Sequence, residues 1–410
     1  MSIMNNKYQT DSSLNSPPSA NLQDLPSSNM TLGNVFKSAI EIADYCATHA
    51  SKIDHSGAFP IKEFKLIADA ELLAVPLLPQ WGGLGLGIDA SLMNELLALL
   101  RIIGGGNLAV GRIYEGHVNA LQLIQTFGTA KQIQNYAADA RDRHKIFGVW
   151  NAEANDGVEI ISLSNDRYRL HGSKTFCSGS GHVERPFVNG KLGKEWQMCV
   201  VPMERVEAQS DASWWQPTGM RATASYKVDF SGVEVTGHAL IGKPRDYNRQ
   251  PWLSGGAIRF TAVQLGGAEA LMNAVQKYLQ KLGRTNDPFQ MMRMGQMAIA
   301  VESGKLWLKG AADLIAAYNP VFGGQSQSAP VSETIDQLVN YVNMARTAIE
   351  QICMDVIQLC ERSVGTQGLM PPHPMERIIR DLTLYLRQPN FDATLQSVGQ
   401  FALSSPASLL

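Results

Sequence analysis

Groups that could move a proton, hold a metal or cradle a phosphate are sparse in this chain of 410 residues, and most of them exclude more chemistry than they suggest. The five cysteines, Cys46, Cys177, Cys199, Cys353 and Cys360, lie far apart or within apolar segments, and no CxxC pair occurs. That spacing supports neither a zinc site nor a disulfide framework, so reduced and mostly buried thiols, and no metal, are expected. The run WGGLGLG, Trp81 to Gly87, looks like a phosphate cradle, but no GxGxxG follows a strand there, so it reads as a loop. Glu115, in RIYEGH, is a carboxylate that could serve as a general base, although a glutamate beside a histidine in a helix is commonly a structural pair. KTFCSGSG offers the aromatic ring of Phe176 and the hydroxyl of Ser178 next to a glycine-rich turn. Arg284, in KLGRTNDPFQ, is a cation in a loop that follows a helix, able to meet an anion or simply water.

The elements that must position these groups change character twice along the chain. From about Leu32 to Arg141 the apolar residues recur at helical spacing. FKLIADAELLAVPLL places Leu66, Ala70 and Leu73 on one stripe, and SLMNELLALLRII is a second apolar helix. From Lys145 to about Val235, short segments rich in Val, Ile, Phe, Tyr and Trp alternate with turn residues such as Asn165-Asp166 and Ser231-Gly232. Without interleaved helices, a barrel or sandwich is expected there rather than a parallel sheet. After Pro251 the helical period returns, with Ala268, Leu271, Met272, Val275, Leu279 and Leu282 on one face and Ile349 to Cys360 on another. Asn319 to Thr334 reads as a loop between them. The predicted architecture is therefore α+β: a tail over 1–30, an N-terminal helical domain over 31–142, a central β domain over 143–250 and a C-terminal four-helix bundle over 251–410.

Net charge is −2, which gives no general pull toward nucleic acid or acidic membranes. No apolar run is long enough to span a bilayer. The Ser-, Asn- and Pro-rich N-terminus has neither the basic start nor the apolar stretch of a signal peptide and reads as disordered, so a cytoplasmic protein is expected.

Six stretches in this order resemble the acyl-CoA dehydrogenase family. Phe64 to Gly87 is similar to a helix leading through proline into a Gly-rich loop, and Gly116 to Tyr136 to the family's helix hairpin. FGVWNAE, Phe147 to Glu153, sits where the family has a "TEP" strand, and His171 to Val183 looks like "NGxKxWITNG". Trp214 to Val235 is close to "GMRGTxTxxVxFxxVxV", and His373 to Asp381 resembles "PVEKLMRD". The resemblance implies bound FAD, a small-molecule substrate such as an acyl-CoA, and a homodimer or homotetramer. It implies that Ser178 meets the flavin N5 region, Phe176 covers one face of the ring, and Trp150 and Asn151 stand where the family has Thr-Glu. It also implies that Arg284 reaches the pyrophosphate across a subunit interface, with Gln290, Gln367 and Gly368 on the adenine side.

The usual base does not carry over. Removing an α-proton needs a carboxylate within hydrogen-bond reach. The family's glutamate about eight residues after the Arg-Asp pair falls on Pro389, and its alternative, at the start of the first C-terminal helix, falls on Gly256. Three readings stay open. A different carboxylate, Glu115 first and Asp392 as the nearest acid downstream, could support oxidation of a CH-CH group in an acyl thioester or similar substrate. The chain could be a flavin monooxygenase of the same fold, whose histidines align with Tyr385 and Gln388. Or the fold could serve binding without turnover. Arg380 and Asp381 read as a structural pair, and Arg387 as a solvated charge.

Overall fold

The computed structural model describes residues 30–254, 256–318, 332–388 and 391–404. The expected tail therefore lies outside the described residues apart from Met30, as does most of the expected loop at Asn319–Thr334; from Ser332 the chain is already helical. The order is helical, β, helical, as the periodicities indicate.

The first layer holds α1 (Leu32–Ser56), α2 (Ile61–Asp69), α3 (Met93–Gly106), α4 (Leu108–Phe127) and α5 (Ala130–Arg141). Their ends follow local chemistry. The Thr31 side chain accepts from the Asn34 N–H to start α1, which stops at left-handed Gly57. Thr129 and Gln132 form a reciprocal capping box on α5. One stripe differs from expectation. Helix α2 ends at Asp69, and Glu71 takes φ 59, which breaks the i→i+4 ladder. Phe64, Ile67 and Ala68 become the buried helical face, and Leu73 enters the core from an irregular turn instead. The Trp81–Gly87 segment that follows is a loop. A Cβ on its Gly83 would stand 2.2 Å from the carbonyls of both Ala74 and Leu77, so that glycine serves chain-to-chain contact.

The β layer holds β1 (Phe147–Trp150), β2 (Glu159–Ser162), β3 (Arg167–His171), β4 (Ser173–Cys177), β5 (Arg185–Leu192), β6 (Glu195–Val200), β7 (Gln209–Asp211), β8 (Tyr226–Asp229), β9 (Glu234–Thr236) and β10 (Leu240–Ile241). Seven of these strands form one sheet in the order β10-β6-β5-β2-β3-β9, with β1 also on β5; the other sheet is β4-β8-β7. β5 pairs parallel with β1 through Phe147↔Arg185 to Trp150↔Val188 and antiparallel with β6. The β4–β8 register slips between Lys174 and Cys177, a bulge that turns Phe176 to φ 53.

The last layer holds α6 (Ala257–Lys281), α7 (Pro288–Ala317), α8 (Ser332–Gly368), α9 (Met375–Tyr385) and α10 (Phe391–Ser404). Helix α6 lies at the centre, packed on α3, α4, α7, α8 and α9. Ala268, Leu271, Val275 and Leu279 are buried along it, whereas Leu282 is past the helix end and half exposed. Among the described residues no helix is long and apolar enough to cross a membrane, no group of residues could hold a metal ion, and all five cysteines are buried and unpaired.

Candidate functional site

Helix α4 is the hinge between layers: it packs on β1, on the 3-10 turn Arg221–Thr223, on α6 and on α9. His117 ties it in place. Its Nε2 donates to the Leu73 carbonyl at 2.8 Å and its Nδ1 accepts from the Phe147 N–H at 3.0 Å, so one neutral tautomer satisfies both. Burial lowers its pKa to about 4. One residue before it in the helix, Gly116 faces the backbone of Gly148 and Val149 closely enough that a Cβ would lie 3.8 Å from each.

The β side of the site is built by β1 and the bulged β4. Trp150 is buried, with its ring against Phe230 and its Nε1 donating to the Ser178 carbonyl at 3.0 Å. Its side chain therefore belongs to the β core, and at this position only backbone is left to face a ligand. Asn151 is exposed, and its carbonyl accepts from Lys174 Nζ at 3.3 Å, while that fully buried lysine also donates to Glu153 Oε2 at 2.6 Å. Phe176 is 53% exposed despite its size, set edge-on to Trp214 at 4.8 Å between ring centroids and near Trp215 at 6.1 Å. The Ser178 hydroxyl is buried beside Ser225 Oγ at 2.9 Å, which in turn is 2.7 Å from Thr223 Oγ1; Thr223 donates to the Met220 carbonyl. Ser178 thus heads a row of three hydroxyls that runs into the protein.

The helical side is a buried charged cluster. Arg112 Nη1 donates to Glu115 Oε2 at 2.9 Å, and Arg259 Nε stands 3.5 Å from Glu115 Oε1, an ion pair without a hydrogen bond. Arg259 also donates to Gln122 Oε1 at 2.5 Å and Asn119 Oδ1 at 2.6 Å. Tyr385, at the end of α9, gives its carbonyl to Gln264 Nε2 at 2.9 Å, but its buried hydroxyl has no partner. Burial lifts that hydroxyl well above the ordinary tyrosine range, with Arg112 and Glu115 the charges that reach it, so it stays a proton donor. Glu115 is the member of this cluster that the sequence points to. Tyr385 enters the sequence reading only as the position aligned with the monooxygenases' histidine, and Arg112 and Arg259 were not singled out, although an arginine inside the apolar run GGAIRFTAVQLGG was a legible signal.

Other anticipated residues lie elsewhere. Arg284 is half exposed in the α6–α7 turn and pairs with Asp287 at 3.0 Å. Gln290 donates to the Ser363 carbonyl at 3.2 Å, which joins the start of α7 to α8, near the end of α8 where Gln367 is exposed and Gly368 buried. These gather at one end of the bundle, and no hydrogen bond or ring contact among the described residues links them to Ser178, Phe176 or Glu115. Gly256 precedes α6, where a Cβ would come within 2.6 Å of Arg259 Nη2. Pro389 lies outside the described residues, and Asp392 is exposed on α10. Arg387 is half exposed but pairs with Glu350 at 2.7 Å. Arg380 and Asp381 are not bonded to each other: Asp381 accepts from the Met220 N–H at 2.6 Å, and Arg380 donates to the Thr218 carbonyl at 2.7 Å. Between those contacts, a Cβ on Gly219 would lie 2.2 Å from the Arg380 carbonyl oxygen. Both residues clamp the loop that carries Trp214, Trp215 and Thr223.

Family models match on either side of the β layer: the acyl-CoA dehydrogenase N-terminal domain over residues 39–141 and the acyl-CoA dehydrogenase C-terminal domain over 258–386. The chain belongs to the acyl-CoA dehydrogenase family. Among its curated relatives, a short-chain specific acyl-CoA dehydrogenase of Clostridium acetobutylicum is 25% identical, covering 81% of this chain and 86% of its own. A dibenzothiophene monooxygenase of Rhodococcus erythropolis is 20% identical, over 88% and 91%. Among solved structures, FMN-bound TdsC of Paenibacillus sp. A11-2 superposes with a TM-score of 0.81 at 20% identity, covering 90% of this chain and 97% of that one. The acyl-CoA dehydrogenase fold is thus common to relatives named for both reactions.

Proposed function

We propose that this member of the acyl-CoA dehydrogenase family is a flavin-dependent oxidoreductase whose flavin ring lies between the β4 bulge and the α4–α6–α9 cluster. The residues fit the ring end of a flavin. Half-exposed Phe176 offers a plane braced edge-on by Trp214, and across from the β layer the Tyr385 hydroxyl and Arg259 Nε are buried polar atoms without hydrogen-bond partners. With Thr223 donating to the Met220 carbonyl, Ser225 donates to Thr223 and Ser178 to Ser225, which leaves Ser178 Oγ to accept at the ring edge. Trp150 and Asn151 contribute backbone only. Arg284, half exposed, suits the pyrophosphate of FAD held by a neighbouring copy of the chain. When bound, the flavin supplies two-electron redox chemistry, as hydride acceptor or oxygen activator.

Which of the two it supplies turns on Glu115, and this single observation carries the reading: its carboxylate lies between two guanidinium groups, one bonded at 2.9 Å and one paired at 3.5 Å. A base must be free to take a proton, and protonating Glu115 would leave two cations facing each other in the interior. The geometry therefore favours the monooxygenase mode, which needs no carboxylate base, with Tyr385 and Arg259 orienting the substrate and α4 excluding water. The second reading is dehydrogenation with Glu115 as base. It is favoured by the burial of Glu115 and by the longer, bond-free approach of Arg259, which a substrate could displace.

A yellow preparation is expected. Oxygen uptake driven by NAD(P)H or by a flavin reductase, with no bleaching by any of a panel of acyl-CoAs under anaerobic conditions, is the expected pattern. Anaerobic bleaching that Glu115→Gln abolishes would establish the second reading instead, and a colourless protein that flavin cannot reconstitute removes both.

A homo-oligomer follows from the same reading of Arg284. Helix α7 leaves Phe289, Met292, Ile299 and Leu306 exposed at helical spacing, 65%, 56%, 71% and 61% respectively, an unpartnered apolar stripe that begins beside Arg284. Sedimentation should give at least a dimer; a stable monomer carrying full flavin would contradict it.

A further inference from the structure

We propose that the α4–α6–α9 cluster is an anion site, and that the substrate carries a small oxyacid group, a carboxylate or sulfonate, that docks on Arg259 and Tyr385. This rests on the proposed function only for the word substrate; the site itself is argued from charge and from unmet hydrogen bonds. Two arginines, Arg112 and Arg259, meet one carboxylate, Glu115, and no other acid pairs with either of them among the described residues. The cluster therefore holds one positive charge too many, in a place where Arg259 is only 4% exposed. An uncompensated buried charge is costly, and proteins seldom retain one without a counter-charge or a role.

The unmet hydrogen bonds point the same way. Arg259 Nε and the Tyr385 hydroxyl are both buried donors without a hydrogen bond: Arg259 Nε has only its 3.5 Å ion pair with Glu115, and Gln264, on the same helix as Arg259, bonds the Tyr385 carbonyl. Two donors without hydrogen bonds, one of them on the surplus cation itself, present what two oxygens of one oxyacid would accept. Gln264 Oε1, on the same helix as Arg259, is an acceptor without a hydrogen bond and suits a donor group next to that anion. Arg112 keeps a quarter of its side chain exposed, so the cluster touches solvent on the α4 side.

The test compares straight-chain carboxylates and alkyl sulfonates, acetate to octanoate in length, with the matching neutral amides, read by thermal melting and calorimetric titration of the purified protein. At least one anion of the series should bind and raise Tm while its amide does neither. Tyr385→Phe, which removes only an unbonded hydroxyl, should fold normally and weaken the anion about tenfold. Glu115→Gln, which removes the competing carboxylate, should strengthen it by a similar factor. Opposite signs from the two variants are a signature that a merely structural cluster does not give. No binding by any anion, equal binding of anion and amide, or affinities that neither variant moves would each overturn the proposal. These readouts need no turnover: a colourless protein that still passes would retain the anion site while the flavin reading falls, and a yellow one that fails would do the reverse.

Discussion

Two buried arginines in this molecule are handled in opposite ways. Arg185, on β5, is 5% exposed and has every nitrogen engaged: Nε to Asp139 at 2.6 Å, Nη1 to Glu204 and to the Glu184 carbonyl, Nη2 to Glu204 at 2.7 Å. Around it Arg143 also pairs with Asp139 and Lys145 with Glu204, so each of the two acids is held by two cations. Arg259, on α6, is equally buried but stands in a cluster of two cations and one anion with its Nε unbonded. A saturated network joins α5, β5 and the turn after β6 into one body. An unsaturated one leaves buried donors, Arg259 Nε and the Tyr385 hydroxyl, without a hydrogen bond. Burial alone would not separate them; the count of partners does.

The largest expected effect follows from removing the saturated arginine. Arg185→Met strands Asp139, which keeps only exposed Arg143, and leaves Glu204 with Lys145 alone. Loss of one partner from a buried ion pair costs about 3–5 kcal/mol, readable as a lower Tm and denaturant midpoint. The same network sets an acid limit. Glu204 is held down to about 2 by the hydrogen bond from Arg185, against an ordinary 4.5. A carboxylate depressed on folding binds its proton more readily in the unfolded chain, so its contribution is present above pH 4.5 and is lost as pH falls toward 2. Arg185→Met should flatten stability across that window; an unchanged acid transition would mean that the pairing does not matter.

How much of this was legible beforehand depended on whether a feature is periodic. Helical and β layers were readable because apolar residues repeat at three and four or at two, and Val228 and Phe230 are buried as alternation requires. The α2 stripe failed at Glu71, where a left-handed residue interrupts the repeat and no glycine announces it. Phe176 and Ser178 were singled out as candidates by their neighbours in sequence, which do not give their geometry: a bulge exposes the ring, and the hydroxyl faces Ser225. Trp150 illustrates the same limit, since strand alternation does not say which face a tryptophan chooses; it joins the β core. The anion cluster draws on α4, α6 and α9, so Arg112, Arg259 and Tyr385 meet only in three dimensions. Each sits in an ordinary helix, and although Arg259 stands out in its apolar run, no segment says that the three share one cluster.

A smaller effect is expected from the unsaturated arginine, and this tests the comparison most sharply. Arg259→Met removes the hydrogen bonds to Gln122 and Asn119, which leaves two acceptors unfilled. Against that loss it removes a cation whose charged form burial already disfavours, as the lowered pKa of its guanidinium reflects. It also leaves Arg112 and Glu115 as a neutral pair at 2.9 Å rather than a surplus charge. The two terms oppose each other, so a net cost of about 1–2 kcal/mol is expected, well below that of Arg185→Met. Denaturant melts of the two variants side by side decide it. If Arg259→Met proves as damaging as Arg185→Met, the second cluster is a structural network like the first and the distinction between saturated and unsaturated arginines does not hold. If the cost is small, Arg259 is retained for what it binds, because a fold that loses little by its removal gains little by its presence.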